Sequence, residues 1–369
     1  MLGVIFLCGG VYKFDMDILS LSKTLDAVMQ HFDNDYMEGM HPLILERLAQ
    51  TNMLKTTGYG CDEICESARM RIREACGVPD AAVHFLVGGT QTNATVIRAM
   101  LRPYEGVIAA DTGHISLHEA GAIEAGGHKV LTIPHVDGKL TAEAVDAYIE
   151  AFRRDEAWEH MVQPGMVYVS FPTEYGTIYS LSELEALSAV CRKWNIPLFV
   201  DGARLGYGRM AEGADVTLKD LARLCDVFYI GGTKVGAMCG EAVVVPRADA
   251  IPHFFTTIKQ CGALLAKGRM LGIQFDVLFE DGLYMRIARH AVEQAVRLRE
   301  AMIAKGYELF IPTPTNQLFF ALTAEQLEKV SKVTTYSEWE HLSDGRTVIR
   351  LATSWATREE DVDALIAAL

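Results

Sequence analysis

The chain has 369 residues, of which 50% are apolar, and its formal net charge at pH 7 is −14. A chain of this length and composition can bury a large core, and we expect two lobes around one site. The acidic balance and the lack of any basic run exclude a surface that tracks nucleic-acid phosphates. We therefore expect small-molecule partners and no nucleic-acid partner.

The N-terminal segment MLGVIFLCGG has an apolar run that is too short to cross a bilayer, so no membrane partner is expected. The first recognisable pattern begins near Phe32, just after Met29, and we expect residues 1–28 to be an atypical extension or an upstream misread start. The eight cysteines are scattered irregularly, which is typical of reduced thiols and predicts a cytoplasmic protein. Cys61 and Cys65 lack the second ligand pair that a zinc site would need.

Short β-rich apolar runs alternate with helical patterns between residues 80 and 245. The runs are VHFLV, GVIAAD, HKVLTIP, MVYVSF, PLFVDG, DVFYIGG and EAVVVP. This alternation predicts an α/β fold with a mostly parallel central sheet and helices on both faces. After Pro252 the pattern indicates a smaller α+β lobe. We predict a large domain over residues 29–255 and a small C-terminal domain over residues 256–369, with a site at the carboxyl ends of the strands.

The first predicted strand is followed by GGTQTN, residues 88–93, which opens a helix. Small residues there allow backbone N–H groups and a hydroxyl to approach a phosphate at the positive helix end. An ordinary tight turn is the alternative, and the glycine spacing fits neither a dinucleotide fingerprint nor a P-loop.

The next strand leads into DTGHISLHEAG, which places His114 just after the strand end. An imidazole at this position can stack on a flat heteroaromatic ring and reach a substrate hydroxyl. His118 lies one helical turn further on, so a zinc pair is an alternative, although no third ligand stands out. A structural histidine is the other alternative.

Two later strand ends carry charged residues. Asp201 follows the wholly apolar run PLFV, where a carboxylate is costly unless it meets a positive partner such as a protonated pyridine nitrogen. A salt bridge to Arg204 or a helix N-cap would be the structural explanation. Lys234 follows VFYIGGT, and an apolar cleft there lowers the proton affinity of its amine and makes it a nucleophile for a carbonyl. A solvated surface lysine is the alternative.

The last predicted strand, TVIRLATS, carries Arg350 among apolar residues. A guanidinium is costly there unless it faces a cleft and pairs with a carboxylate, which an amino-acid substrate would supply. An ion pair between the two lobes is the alternative.

Seven ordered segments from residue 32 to the C-terminus resemble the low-specificity threonine aldolases, which are fold-type I pyridoxal-phosphate enzymes. The segments are FDNDYMEGMHP, TTGYGCDE, GGTQTN, GHISLHEAGAIEAGGHKV, FVDGARL, YIGGTK and RLATSWAT. The resemblance implies Lys234 as the lysine that binds pyridoxal 5′-phosphate covalently, Asp201 as the partner of the ring nitrogen and His114 as the ring-stacking residue. It also implies Gly89 and Thr90 as phosphate contacts.

The same resemblance implies Arg204 and Arg350 as ligands of the substrate carboxylate or the phosphate. Arg269, in KGRMLG, would contact the phosphate from a neighbouring subunit, and Tyr59, in GYG, is similar to the family's loop at the subunit boundary. A homodimer or homotetramer with shared active sites is therefore implied.

Two segments depart from the family pattern. Asn34-Asp35-Tyr36 stands where better-studied members have Ser-Asp-Thr, and Pro172-Thr173-Glu174 stands where they have Asn-Thr-His. Asn34 and Glu174 are thus candidate substrate-binding residues, and the replacement by Glu174 leaves open which group takes the β-hydroxyl proton.

The activity implied by the resemblance is retro-aldol cleavage of L-threonine and L-allo-threonine to glycine and an aldehyde, with His114 or a water it holds as the base. A β-eliminating amino-acid lyase on the same scaffold is the principal alternative, because both use the same cofactor constellation. An aminotransferase and a binding protein that has lost turnover are further alternatives.

Overall fold

The computed structural model describes residues 29–369 in full and, before them, the strands over residues 3–7 and 10–14. Apart from these two strands, the extension expected over residues 1–28 lies outside the described residues. Within the described part of the chain, no helix is long and apolar enough to cross a membrane.

The strands divide between a central sheet, a smaller sheet and two short pairs. In chain order they are β1 (Gly3–Leu7), β2 (Gly10–Phe14), β3 (Gln30–His31), β4 (Ala82–Leu86), β5 (Glu105–Ala110), β6 (Val130–Ile133), β7 (Gln163–Ser170), β8 (Leu198–Asp201), β9 (Val227–Gly231), β10 (Glu241–Val245), β11 (Glu308–Ile311), β12 (Gln317–Leu322), β13 (Thr334–Thr335), β14 (Ser337–His341) and β15 (Thr347–Ala352).

The helices of the described residues fill the connections between these strands. They are α1 (Pro42–Thr51), α2 (Glu63–Cys76), α3 (Gly89–Met100), α4 (His114–Leu117), α5 (Ala122–Ala125), α6 (Ala142–Arg154), α7 (Leu181–Trp194), α8 (Leu205–Met210), α9 (Leu218–Leu224), α10 (Phe254–Gln260), α11 (Arg269–Leu278), α12 (Leu283–Ala304), α13 (Ala324–Ser331) and α14 (Glu359–Ala368), with short 3₁₀ turns at Trp158–His160 and Glu280–Gly282.

The central sheet has seven strands in the order β4-β10-β9-β8-β7-β5-β6, and β10 runs antiparallel to both of its neighbours. Alternate residues of β5 and β7 enter two different apolar clusters: Val107 and Met166 belong to one, Ile108 and Val167 to the other. Because side chains alternate between the faces of a strand, each face of the sheet carries its own core. The predicted mostly parallel sheet with helices on both faces is confirmed.

The second lobe contains an antiparallel sheet of four strands in the order β11-β12-β15-β14, which confirms the smaller α+β region. The core of the large lobe and the core of the small lobe meet along α12 rather than at residue 256. Leu283 and Ile287 at its start pack into the core of the large lobe, whereas Leu298 and Met302 near its end pack into that of the small lobe. Phe32 also joins the small-lobe core.

The carboxyl ends of the parallel strands share one edge of the central sheet, because β4, β5, β7, β8 and β9 run in the same direction. The loops that leave this edge carry most of the predicted site residues: Gly89, Thr90, His114, Glu174, Asp201, Arg204 and Lys234. Arg350 lies on β15 of the small lobe. The fold thus brings the strand-end loops together, and the small lobe adds the last basic residue.

Candidate active site

Two adjoining cavities lie at this edge of the sheet. The inner cavity, of about 280 Å³, is lined by the strand-end loops, and the outer cavity, of about 520 Å³, lies between these loops and the small-lobe strands β12, β14 and β15. Five side chains line both: Tyr36, His114, Glu174, Arg204 and Lys234. A ligand that occupies both cavities would therefore pass these five residues.

The N-terminus of α3 forms one wall of the inner cavity. Ser180 caps α7 through a capping box with Glu183, but the N-cap of α3 is Gly88, and no side chain of the described residues caps the first amides of α3. Gly89 and Thr90 line the cavity. A Cβ on Gly89 would lie 3.1 Å from the hydroxyl of Tyr229. This turn leaves the first amides of a twelve-residue helix available to an anion.

Asp201 lies at the end of β8 and is 4% exposed. Its Oδ2 accepts hydrogen bonds from the Tyr168 hydroxyl at 2.5 Å and the Asn93 amide at 3.0 Å. Its Oδ1 accepts from the Tyr229 hydroxyl at 2.5 Å and from the Ala203 N–H at 2.9 Å. Burial alone would raise the pKa of the Asp201 carboxyl, but nearby His114 and these hydrogen bonds hold it below its usual range. Asp201 is thus a buried anion without a cationic side chain bonded to it in the part of the chain that the structure describes.

Lys234 follows β9 and lines the inner cavity together with Asp201. Burial and the neighbouring Arg204 lower the pKa of the Lys234 amine to about 8, although Asp35 and Asp201 partly oppose this shift. The loop is held on one side by the Tyr207 hydroxyl, which donates to the Lys234 carbonyl at 2.5 Å. An amine with this pKa is partly unprotonated near neutral pH and can attack a carbonyl.

The loop of Lys234 is also held by Glu241. Its carboxylate accepts the Gly232 N–H at 3.0 Å and the Thr233 hydroxyl at 2.8 Å. Burial raises the pKa of Glu241 to about 8, against the lowering effect of the Thr233 hydrogen bond and the charge of Lys234. The backbone on either side of Lys234 is therefore fixed.

His114 opens α4 above the inner cavity. Its Nδ1 lies 2.8 Å from Oε1 of Glu119, a buried carboxylate that also accepts the Asn93 amide at 2.7 Å. The backbone N–H of His114 donates to Oε1 of Glu174 at 2.8 Å. The imidazole plane is thereby fixed by a chain of hydrogen bonds that reaches Asp201 through Asn93.

Arg204 and Arg350 face the same cleft but differ in their partners. Arg204 forms a bidentate ion pair with Asp35, at 2.7 Å from Nε and 3.0 Å from Nη2, and Asn316 donates a further hydrogen bond to Asp35. Burial would raise the pKa of Asp35, but Arg204 and Lys234 hold it at about 2. The guanidinium of Arg204 is therefore already paired with a carboxylate of the chain.

Arg350 has no such partner. It donates to the Asp33 carbonyl at 2.9 Å and to the Ser337 hydroxyl at 3.1 Å, and it lies over the Trp339 ring at 5.4 Å. Its buried Nε has no hydrogen-bond partner among the described residues. Among residues 29–369 it forms no ion pair, and burial and Arg204 lower its pKa to about 10. Arg350 is 9% exposed, so a carboxylate that entered the outer cavity would meet an uncompensated cation.

Three predicted residues do not line these cavities. Asn34 accepts the N–H of Tyr36 and turns the chain so that Tyr36 reaches the cavity instead. Tyr59 lines a separate pocket together with Gly268, next to Arg269. Arg269 donates to the carbonyls of Asn52 and Leu54. Their predicted roles stay predictions, and those of Tyr59 and Arg269 require a neighbouring subunit.

Some site residues were missed by the sequence reasoning: Asp35, Tyr36, Asn93, Glu119, Tyr168 and Tyr229. Tyr168 and Tyr229 had a readable signal, since each is a tyrosine within an apolar strand, where a buried hydroxyl needs a partner. Asn93 and Glu119 lie inside segments already singled out for their neighbours. Asp35 and Tyr36 stand in the departing Asn34-Asp35-Tyr36 segment, of which only Asn34 was proposed as a ligand.

Comparison with known proteins places this geometry in a family. Residues 40–325 match the model of the beta-eliminating lyase family. The low specificity L-threonine aldolase of a Pseudomonas strain is 29% identical over 343 residues, which is 92% of this chain and 96% of that protein. A threonine aldolase structure from Leishmania major is 45% identical, covers 92% of this chain and 98% of its own, and has a TM-score of 0.88.

A more distant structure shows how far the fold extends. A Thermus thermophilus aspartate aminotransferase variant is 16% identical over 95% of this chain and 94% of its own, with a TM-score of 0.68, and so shares the fold alone. The chain belongs to the beta-eliminating lyase family, because that model spans most of its length. It is a fold-type I lyase, and its cofactor is pyridoxal 5′-phosphate.

The residues of the inner cavity fit this cofactor. The uncapped amides of α3 suit its phosphate, and the buried Asp201 carboxylate suits a protonated ring nitrogen. The buried Lys234 amine suits its carbonyl group. Without such a group, the Asp201 carboxylate would be a buried anion with hydrogen bonds but without a cationic partner among the described residues, which is costly.

Proposed function

We propose that the protein is an aldolase that cleaves L-threonine and L-allo-threonine, and related β-hydroxy-α-amino acids, to glycine and an aldehyde. The observation that carries this proposal is the pairing of two features in one cleft. Lys234 and Asp201 line the inner cavity together, and Arg350, which forms no ion pair among the described residues, lines the outer cavity. The names of the Pseudomonas and Leishmania relatives favour the same activity.

In this proposal five residues of the inner cavity hold the cofactor. Lys234 holds the cofactor, Asp201 keeps a proton on its ring nitrogen, and His114 covers the face of the ring. The amides at Gly89 and Thr90 bind the phosphate. When bound, the cofactor supplies an electron sink for the pair of electrons released from the Cα–Cβ bond.

The substrate is oriented from the outer cavity. Arg350 binds the α-carboxylate, because it is the cleft arginine without a carboxylate partner among the described residues. Arg204, held by Asp35, keeps the positive potential beside Lys234 and acts on the substrate only through that potential. With the carboxylate fixed at one side, the β-carbon and its hydroxyl lie toward His114 and Glu174, where a proton can be accepted.

One experiment separates this activity from its rival. The cofactor-loaded protein is incubated with a mixture of L-threonine and L-allo-threonine, and separately with L-cysteine, and acetaldehyde, glycine and pyruvate are measured. We expect acetaldehyde and glycine in equal amounts. Pyruvate from cysteine, with no aldehyde from either threonine, would instead make the protein a β-eliminating amino-acid lyase, which the family name also describes.

We also propose that the protein works in the cytoplasm as a homodimer or homotetramer in which Tyr59 and Arg269 contribute to the site of a neighbouring subunit. Support for shared sites is that both residues lie outside the cleft of their own chain. The seven described cysteines are free thiols, which agrees with a reducing compartment. Light scattering of the purified protein tests the assembly, and a monomer that cleaves threonine at full rate would contradict it.

A further inference from the structure

Glu174 is a buried carboxylate at the junction of the two cavities. It lies in the turn after β7, where the Thr173 N–H donates to the Thr177 carbonyl at 2.9 Å and the Gly176 N–H donates back to Thr173 at 2.9 Å. The side chain is 7% exposed and lines both cavities. The backbone therefore fixes where this carboxylate enters the cleft.

The two oxygens of Glu174 are in different situations. Oε1 accepts the Ser170 hydroxyl at 2.6 Å and the His114 N–H at 2.8 Å. Oε2 has no hydrogen-bond partner in the described residues. This oxygen is not fully buried, so it is open to the cavity. One oxygen is thus anchored by two donors while the other is presented to whatever occupies the cleft.

From this geometry we propose that Glu174 is the general base that removes the β-hydroxyl proton of the substrate, a proposal that rests on the aldolase function proposed above. The other basic groups of the cleft are less suited. Nδ1 of His114 is engaged by Glu119, whose carboxylate also accepts the Asn93 amide. The His118 ring packs between His114, at 5.6 Å, and Trp339, at 5.9 Å.

The proton transfer balances without any further reactant. Oε2 of Glu174 takes the hydroxyl proton, and the O–H bonding pair becomes the second bond of the aldehyde carbonyl. The Cα–Cβ bonding pair stays with the glycine fragment, where a proton from solvent is added at Cα. Glu174 then releases its proton to solvent, so one proton has moved from oxygen to carbon and nothing is oxidised or reduced.

The charges around Glu174 suit a base. Burial raises the pKa of Glu174 above its usual range, while the Ser170 hydrogen bond and the His114 charge lower it and Asp201 raises it. A carboxylate with a raised pKa is a stronger base once it is ionised. The titratable and charged groups that line the two cavities with Glu174, or that its charge affects, are Tyr36, His114, His118, Tyr168, Tyr175, Tyr179, Asp201, Arg204, Tyr229, Lys234, Glu241, Glu338, Glu340 and Arg350, and Glu119 lies behind His114.

The test compares two reactions of the cofactor-loaded protein. Cleavage of L-threonine needs a base for the hydroxyl, whereas exchange of the α-protons of glycine in D₂O does not, because glycine has no hydroxyl. For E174Q, which keeps the shape and removes the charge, we expect the ratio of the cleavage rate to the exchange rate to fall by about 10²- to 10⁴-fold. Glu185→Gln, at an exposed glutamate on α7, should leave that ratio at the wild-type value.

The pH profile of S170A supplies a second readout. Removing the Ser170 hydroxyl takes away a donor that favours the ionised carboxylate, so the acid limb of kcat/KM for threonine should move to higher pH. Ser331→Ala, at an exposed serine outside both cavities, should not move it. A purely structural role for Glu174 would lower kcat/KM without shifting this limb.

Each outcome decides the matter. Parallel loss of cleavage and exchange in E174Q, or retention of cleavage, would overturn the assignment of Glu174 and leave His114 as the base. An unshifted acid limb in S170A would also count against Glu174. If the wild-type protein exchanges glycine protons but cleaves neither threonine, the aldolase function itself fails, and the inference about Glu174 fails with it.

Discussion

In the inner cavity the charged group of Asp201 accepts four hydrogen bonds from the protein, whereas in the outer cavity the guanidinium of Arg350 contacts neutral acceptors and one aromatic ring. The inner site is thus arranged by the chain itself before any ligand enters. In the outer site, no carboxylate of the described residues forms an ion pair with Arg350, although Glu338 and Glu340 line the same cavity, so its guanidinium is left to pair with a ligand. This difference separates residues whose loss stops the chemistry from residues whose loss weakens binding.

Lys234 is the residue whose loss would break the inner site completely. Replacing it with alanine removes the amine that holds the cofactor and takes part in each turnover, so K234A should show no acetaldehyde formation from threonine above the background rate. The far-ultraviolet circular dichroism and the unfolding midpoint should remain near those of the wild type, because Lys234 forms no ion pair within residues 29–369. Lys55→Ala, at an exposed lysine, is the control. Multiple turnovers by K234A would refute the assignment.

Asp201 tests the electrostatics of the same cavity. D201N keeps the shape but cannot pair with a protonated ring nitrogen, and breaking a buried ion pair costs about 3 to 5 kcal/mol. If most of that cost falls on the reaction, kcat should drop by about 10²- to 10³-fold. The measurement is kcat for threonine cleavage at saturating cofactor. Asp80→Asn, at an exposed aspartate, is the matched control. A drop of less than tenfold would mean that another group neutralises the ring nitrogen.

The sequence predicted the inner cavity better than the cleft as a whole, and the reason is physical. Asp201, Lys234 and His114 each follow a buried strand, so strand-end position alone brings them to one edge of the sheet. Arg204 and Asp35 are 169 residues apart in the sequence. Their contact depends on how the segment around Phe32 packs against the small lobe. No local pattern encodes that contact.

The lobe boundary shows the same limit. A change in element lengths near residue 252 suggested a division there, but α11 and the start of α12 still pack against the large lobe. A helix as long as α12 can serve two cores at once, so its periodicity does not reveal where one core ends. The fold class was predictable because it depends on alternation along the chain, whereas the boundary depends on packing between distant segments.

Arg350 sharpens the comparison from the outer side. R350K keeps a positive charge but loses the planar donors that bind a carboxylate bidentately, and hydrogen bonds to charged groups contribute about 1.5 to 3 kcal/mol. We expect KM for threonine to rise about 10- to 100-fold with a smaller change in kcat. Arg346→Lys, on the same lobe but paired with surface carboxylates, should leave KM at the wild-type value. An unchanged KM in R350K would assign carboxylate binding elsewhere.

Asp35, which is buried and paired with Arg204, gives the smallest predicted effect, which concerns stability. Burial would raise its pKa, but Arg204 and Lys234 lower it from 3.8 to about 2. Because the pKa of Asp35 is lower in the folded protein than in the unfolded chain, its ionised carboxylate stabilises the fold fully above about pH 4. This contribution to the free energy of unfolding is lost as the pH falls through about 2, and a shift of this size corresponds to about 2 kcal/mol. The free energy of unfolding in urea should therefore fall more steeply between pH 5 and pH 3 for the wild type than for D35N.

D35N should also be less stable than the wild type at pH 7, because it leaves the guanidinium of Arg204 buried without a countercharge. The gap between the two proteins then narrows between pH 5 and pH 3, because Asp35 of the unfolded wild-type chain takes up a proton near its ordinary pKa of 3.8 while Asp35 of the folded protein, with a pKa of about 2, stays charged. Asp249→Asn, at a largely exposed aspartate, should follow the wild-type slope. A gap that stays constant down to pH 3 would mean that Asp35 has the same pKa in the folded protein and in the unfolded chain, so that Arg204 and Lys234 do not lower it.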